Sequence, residues 1–355
     1  MDREAGIAAH AALISADEYK ARRARGVPSE HIYNIAGDAP VIRVEVAGAT
    51  ALSDDVILYD FKALDGAPLP EWSAGAHLDI VVAPEYLRQY SMCGDPCDRT
   101  RYRIAVLREA AGRGGSALMH RIFTPGRKVF VSRPINHFAL NEQGSHSLLM
   151  GGGIGITPMI AFAHRLHALG RDFTLHYSAP SRARAAFADT LAAAPWAARV
   201  HLQLSDAGGR ADLGALIVPW STGAHVYTCG PDGYMNSVMQ AAETAGYPEE
   251  ARHLEYFAVP ELPARENHPF TLHLSRSNRR IAVSAAQSAT DALAAAGVHF
   301  DVKCSDGICG MCKCTVLSGA VDHRDFVLSS AQRQHQMILC QSRAAEPAGE
   351  ITLDL

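Results

Sequence analysis

The stretch Cys304-Ser-Asp-Gly-Ile-Cys309-Gly-Met-Cys312, answered by Cys340 further down the chain, decides how the C-terminal part of the sequence folds. The steps are C-x4-C and C-x2-C, followed by a long gap. That spacing matches four thiolates around a [2Fe–2S] cluster. Two irons bridged by two sulfides need four thiolates. A short loop can supply three of them, and a distant segment closes over the cluster with the fourth. Gly307 and Gly310 allow the sharp turns that aim backbone N–H groups at sulfur. A zinc site built from four cysteines usually shows two C-x2-C pairs, and here there is one. Disulfides fit poorly with a sequence that shows no apolar secretory leader. Cys314, two residues beyond Cys312, is a rival ligand. The spacing favours Cys312 and makes Cys314 a small buried apolar residue.

Working outward, 355 residues are too many for one ordinary domain and suggest two or three. A hydrophobic share of 48% with 20% charged residues describes a globular, soluble chain. The net charge of −4 gives no nucleic-acid footprint, and no apolar run approaches a membrane span. Eight cysteines without a leader point to a reducing compartment, the cytoplasm by default. Residues 1–37 read as an extension. Its basic run Lys20-Ala-Arg22-Arg23-Ala-Arg25 follows a helix start at Ser15 and is expected to be solvated.

Between residues 38 and 140, short alternating segments are separated by Gly, Pro and Asp. They are Val41–Val46, Val56–Phe61, Ala76–Val82, Tyr102–Leu107 and Lys128–Val131. This pattern predicts a small antiparallel β-barrel. Arg88-Gln89-Tyr90-Ser91 follows the third segment, and Gly112-Arg-Gly114-Gly115-Ser116 opens a short helix through Met119. Between 141 and 258, Ser147–Met150 reads as a buried strand, followed by Gly151-Gly-Gly153-Ile154-Gly155-Ile-Thr157-Pro158. The predicted helix starts at Pro158, with Thr157 as its cap, and Gly170 ends it. Strand, glycine turn and helix form a dinucleotide-binding context. Phe173–Ser178 is the next strand, with Arg182 and Arg184 behind it, and then Val200–Leu204. Val226-Tyr-Thr-Cys229-Gly230-Pro231-Asp-Gly-Tyr-Met235 and His253-Leu-Glu-Tyr-Phe257 complete this part.

Residues 259–269 are proline-rich and polar, which marks a linker. A hairpin from Phe270–Leu274 and Arg280–Val283 follows, then a helix starting at Ser288 or Thr290 and ended by Gly297, then the cysteine loop. Hairpin, helix and cysteine loop is the β-grasp order of plant-type ferredoxins. Asp322-His323-Arg324-Asp325 lies between the third and fourth cysteines and is read as shaping the loop.

Taken in order, these motifs resemble the phthalate dioxygenase reductase family, which includes vanillate demethylase reductases, within the ferredoxin–NADP reductase superfamily. The resemblance covers residues 38–355. The glycine loop ends in proline rather than as G-x-G-x-x-G, as in that superfamily. The resemblance implies a multidomain fold: an antiparallel β-barrel flavin domain at 38–140, an α/β Rossmann-like nucleotide domain at 141–258, and an α+β β-grasp ferredoxin domain at 270–355. It implies FMN, with its phosphate on Arg88 and the Gly114-Gly115-Ser116 turn, and its ring system against Gln89, Tyr90, Ser91, Ala105 and Val106. It implies nicotinamide and its phosphates at Gly153, Ile154, Gly155, Thr157, Pro158, Cys229, Gly230, Pro231 and Met235. Phe257 is implied on the flavin face, and Ser178 and Arg182 near the adenosine. Ser91, Thr157 and Cys229 fall at the hydride-transfer point, and the cluster falls on Cys304, Cys309, Cys312 and Cys340. NADH is the expected donor, with NADPH left open by the two arginines. A hydride donor gives two electrons and a [2Fe–2S] cluster takes one, so a flavin is needed between them. The expected role is the reductase component of a Rieske-type terminal oxygenase, working as a monomer without nucleic acid or membrane. A stand-alone oxidoreductase acting on small or other protein acceptors is the alternative. A cluster near −400 mV suits delivery to a Rieske centre of higher potential.

Overall fold

The computed structural model describes residues 42–83, 86–109, 114–258, 265–302 and 304–355. The N-terminal extension, Val41, Gly112 and most of the linker lie outside the described residues. The rest forms two compact units that divide between Phe257 and Ala258.

In the first unit, one all-antiparallel sheet runs in the order Tyr86–Ser91, Ala76–Ala83, Lys128–Val131, Ile42–Ala51, Val56–Ala63, Tyr102–Leu107. A bridge between Met92 and Ile104 joins its two edges. The alternation predicted in the first strand holds: Val44 and Val46 are fully buried and flank the more exposed Glu45. Arg88-Gln-Tyr90-Ser91 follows the third strand, Ala76–Ala83, and itself forms the next one, in which Arg88 pairs with Ile80 and Ser91 with His77. The helix behind it spans Gly115–Ile122, longer than the stretch to Met119.

The second sheet of this unit is all-parallel, in the order Val200–Leu204, Phe173–Ala179, His146–Gly152, Ala224–Cys229, Arg252–Glu255. Its two central strands are buried almost throughout, as parallel strands covered on both faces must be. Strand order reverses between His146–Gly152 and Ala224–Cys229. Ligands bind such sheets outside the carboxyl ends at that switch point. The helix there spans Ile156–Ala168, so Pro158 is its third residue, not its first. Pro158 still sits in the first turn, where backbone N–H groups have no helical partner. Thr157 does not cap the helix. Gly155 occupies that position, and the Thr157 hydroxyl donates to Ile154 O at 3.0 Å.

One apolar core joins the two sheets of this unit, running from Val56, Leu58 and Ala105 to Met159, Phe162 and Cys229. The chain crossing between them is tied down by Asn141, whose N–H donates to the Tyr227 hydroxyl at 2.9 Å. At the switch point the backbone itself is packed. A Cβ on Gly155 would lie 2.3 Å from the carbonyl carbon and oxygen of Cys229.

The second unit has a sheet ordered Arg279–Val283, Phe270–Leu274, Glu350–Leu353, Lys313–Ser318, Gln336–Ile338. Phe270–Leu274 runs parallel to Glu350–Leu353, and the other pairs are antiparallel. The helix Ala289–Ala295 is capped by Ser288, which accepts from Asp291 N while the Asp291 carboxylate reaches back to Ser288 N. Gly297, at φ 72°, follows its end.

Replacing Gly155 by Ala drives a methyl group into backbone rather than into a pliable side chain. Gly155→Ala is expected to destabilise the first unit by roughly 1–3 kcal/mol. Denaturant unfolding measures this, and an unchanged midpoint would contradict the close approach.

Candidate functional site

In the second unit, Cys309, Cys312 and Cys340 are buried and Cys304 is half-buried. Thiol contacts link Cys309 to Cys304, Cys304 to Cys340, and Cys340 to Cys312. Contact with the Cys309 and Cys340 thiols holds Cys304 well below the ordinary thiol range, and contact with Cys340 lowers Cys312. Asp306 N donates to Cys304 Sγ at 3.3 Å and Cys340 N to Cys312 Sγ at 3.4 Å. Among the described residues no group of three or more ligand side chains forms a ready-made site for one metal ion. The sulfurs meet in pairs along a chain of four. That donor set, all soft thiolate with N–H groups aimed at sulfur, fits a cluster that brings its own bridging sulfides. Cys314 lies apart in the apolar core, with its thiol pushed up to about 11 by burial.

Turns with positive φ shape the cysteine loop: Ser305 at 58°, Gly307 at 75° and Gly310 at 70°. Gly307 is closely covered, since a Cβ there would sit 3.0 Å from Gln341 Cγ and 3.4 Å from Asp325 Cα. Phe326 N donates to Gly307 O at 3.1 Å, and Gln341 Nε2 to Ser305 O at 2.7 Å.

In the first unit, the Arg88 guanidinium lies over the start of the helix Gly115–Ile122. A Cβ on Gly115 would come within 2.4 Å of Arg88 Nε. Gly114, at φ 82°, turns the chain into that helix. Free N–H groups at a helix start beside a forked cation make a phosphate cradle. The Ser116 hydroxyl accepts from Glu109 N at 3.0 Å and closes the preceding loop, while its backbone N–H belongs to the first turn of the helix. Gln89 donates to the fully buried Asp79 at 3.0 Å. Tyr90 packs on the core of the antiparallel sheet, and burial pushes its phenol up. Ala105 is buried in the core shared by the two sheets, and Val106 in the antiparallel sheet's own core.

At the switch point three side chains gather. Ser91 Oγ donates to Glu255 Oε2 at 3.0 Å, and Glu255 is the register partner of Cys229 on the neighbouring strand. Burial pushes Glu255 up to about 7, partly offset by the Ser91 hydrogen bond. Cys229 is fully buried, and burial together with the Glu255 charge raises its thiol far above the ordinary range. It is therefore a neutral thiol, suited to positioning and not to attack. Glu255 was missed in the sequence, although an acid inside the closing strand His253-Leu-Glu255 was the signal. Gly153, Ile154 and Gly155 form the turn before the helix, and Gly230 and Pro231 face it, with Pro231 Cδ 3.1 Å from where a Gly152 Cβ would be. Met235 is core. Phe257 is 43% exposed. Ser178 donates to Gln203 at 3.2 Å. Arg182 is ion-paired with Asp189.

These two units carry the parts of a nicotinamide-linked flavin and iron–sulfur reductase. Residues 272–345 match the family described as the 2Fe-2S iron-sulfur cluster binding domain. The chain is 43% identical over 308 residues to the phenoxybenzoate dioxygenase subunit beta of Ectopseudomonas oleovorans, covering 85% of this chain and 94% of that protein. It is 36% identical over 317 residues to the phthalate dioxygenase reductase of Burkholderia cepacia, covering 88% and 97%. A solved structure of phthalate dioxygenase reductase, described as modular for electron transfer from pyridine nucleotides to [2Fe–2S], matches with a TM-score of 0.64 at 36% identity, over 89% of this chain and 98% of that one. The chain belongs to the phthalate dioxygenase reductase family, with flavin- and NAD-binding domains followed by a C-terminal [2Fe–2S] ferredoxin domain.

Gly115→Ala displaces only the flexible Arg88 side chain, so the protein should fold normally while flavin affinity falls about tenfold or more. Flavin fluorescence after dialysis reads this, and full occupancy would count against the cradle. Glu255 binds its proton more tightly folded than unfolded. Its contribution to stability is therefore present below the unfolded carboxyl value and is lost as pH rises toward 7. Stability of wild type relative to Glu255→Gln should fall across that window. Parallel thermal unfolding curves between about pH 4.5 and 7.5 would contradict it.

Proposed function

We propose that the chain is the reductase component of a Rieske-type oxygenase, moving electrons from NADH through FMN and the [2Fe–2S] cluster to a terminal oxygenase. One observation carries this: a phosphate cradle, a nucleotide switch point and a four-thiolate loop occur together in one chain. Relatives named as oxygenase subunits support the oxygenase partner.

In this reading the edge-joined antiparallel sheet is the flavin barrel of residues 38–140, and the parallel sheet is a Rossmann-like domain of 141–258. Residues 259–269 are the linker, and 270–355 form the β-grasp ferredoxin. Arg88 with Gly114, Gly115 and the helix start holds the FMN phosphate, while Gln89, Tyr90, Ser91, Ala105 and Val106 line the flavin and Phe257 covers it. Bound flavin supplies the exchange between hydride and single electrons. The turn at Gly153–Pro158 and the opposing Cys229-Gly230-Pro231 hold the dinucleotide near Ser91, with Met235 bracing the turn from the core. The neutral Cys229 thiol keeps charge away from the nicotinamide site. Glu255, near 7, can hold a proton on its carboxyl group, and its Oε2 accepts from and orients the Ser91 hydroxyl. Ser178 and Arg182 lie toward the adenosine. Both arginines expected near a 2′-phosphate are already held by carboxylates, Arg182 by Asp189 and Arg184 by Asp55, which supports NADH over NADPH. Cys304, Cys309, Cys312 and Cys340 hold the cluster. Ser305–Met311 is the docking face toward the oxygenase, and the reductase acts as a monomer.

Cys309→Ser should abolish the visible and EPR signature of the cluster while NADH still reduces the flavin at a near-normal rate. Loss of both reactions would contradict separate flavin and iron–sulfur modules.

A further inference from the structure

The stretch Asp322-His323-Arg324-Asp325 does more than shape a loop. Asp325 is a buried carboxylate directly behind the cysteine loop. Its own backbone covers Gly307, and the next residue donates to Gly307 O. Oδ2 of Asp325 accepts from Leu328 N at 2.9 Å and Val327 N at 3.2 Å, and lies 3.6 Å from Arg333 Nη2. Oδ1 is buried with no hydrogen-bond partner among the described residues.

Facing Oδ1 across this gap is His323 Nδ1, at 3.6 Å, which is also buried and also without a hydrogen-bond partner among the described residues. The other ring nitrogen settles what Nδ1 presents. His323 Nε2 lies 3.1 Å from Arg333 O. A carbonyl only accepts, so Nε2 carries hydrogen. In the neutral ring Nδ1 then offers a lone pair to a carboxylate oxygen, and two acceptors face each other in a buried space. A proton on Nδ1 turns this opposition into a charge-assisted hydrogen bond. The surrounding charges are few. Asp322 is held by Arg265 at 2.9 Å and by Arg324 at 2.7 Å, and Arg333 also donates to Asp325 O at 2.8 Å. None of these groups supplies a donor to Nδ1 or Oδ1.

We propose that His323 and Asp325 form a redox-linked proton site of the ferredoxin domain: when the cluster gains an electron, His323 Nδ1 takes a proton from solvent, and it releases that proton when the electron moves on. The balance is one electron onto iron and one proton onto imidazole, with the electron supplied by the reductase activity itself. The reason is electrostatic. Reduction adds one negative charge to a cluster held by four thiolates, and Asp325, whose backbone packs on Gly307 of the cysteine loop, has His323 Nδ1 3.6 Å from its Oδ1. Cluster potentials respond to nearby charge and to hydrogen bonding around the sulfurs. This proposal rests on the assignment of the four cysteines to a [2Fe–2S] cluster.

The test is the midpoint potential of the cluster in the intact holoprotein, by EPR-monitored redox titration at several pH values between about 5 and 8, where imidazole changes charge. The wild-type potential should fall as pH rises, with a slope approaching about 59 mV per unit for one proton per electron. His323→Gln and Asp325→Asn should both flatten that slope while retaining the cluster signal. Asp325→Asn keeps an oxygen for the Val327 and Leu328 N–H groups, so it separates the charge from the turn. A wild-type potential independent of pH, with the cluster intact, overturns the proton site alone, as does a slope that survives both substitutions. A protein without a reducible [2Fe–2S] signal overturns the proton site and the cluster assignment together.

Discussion

The hydrogen bond from Cys340 N to Cys312 Sγ, at 3.4 Å, is the contact on which the second unit depends. A cluster needs its fourth thiolate brought from a distant part of the chain, and closing that loop costs conformational entropy. The segment around Cys340 meets the cost with a row of directed bonds. Leu339 N donates to Cys312 O at 3.0 Å, and Gln341 Nε2 reaches Ser305 O. Arg343, only 5% exposed, donates to the carbonyls of His268, Ser284 and Gln287. The same few residues therefore close the thiolate set and tie it to the start of the sheet and the entry of the capped helix. Ligand geometry and fold are one problem here, which is why the cysteine loop can be short.

The first unit is governed by close approach instead. Its two decisive glycines differ in what they touch. Gly155 lies against backbone, so it fixes where two strand ends meet. Gly115 lies against the Arg88 side chain, so it fixes where a guanidinium can rest. The first sets the architecture of the switch point, and the second sets where the guanidinium lies against the helix start. Around the switch point, burial keeps Cys229 neutral and pushes Glu255 up to about 7, and Ser91 donates to Glu255 from the antiparallel sheet to the parallel one.

Much of this was legible in the sequence, where local chemistry decides. The cysteine spacing, the buried strands with glycine turns, the Ser288 cap and the core position of Cys314 needed only neighbours a few residues away. Longer-range facts were not legible. Glu255 meets its partner, Ser91, 164 residues earlier in the chain. The pairing of Arg184 with Asp55 has the same character. The start of the switch-point helix was misplaced because Pro and Thr are strong local signals, yet the packing of Gly155 on Cys229 draws the helix back to Ile156. The hydroxyl of Ser116 accepts from Glu109 N across the preceding loop, a pairing that the glycine turn itself does not announce. Asp325 looked like loop filler because nothing in its neighbourhood announces that its carboxylate is buried.

One chain holds a two-electron acceptor and a one-electron acceptor in series. Anaerobic titration of the purified holoprotein with NADH, followed by visible absorption and EPR, tests it most directly. Full reduction should take three electrons per chain, about one and a half NADH, with flavin and cluster both bleached. An endpoint at one NADH per chain, with the cluster signal unchanged, would contradict the account.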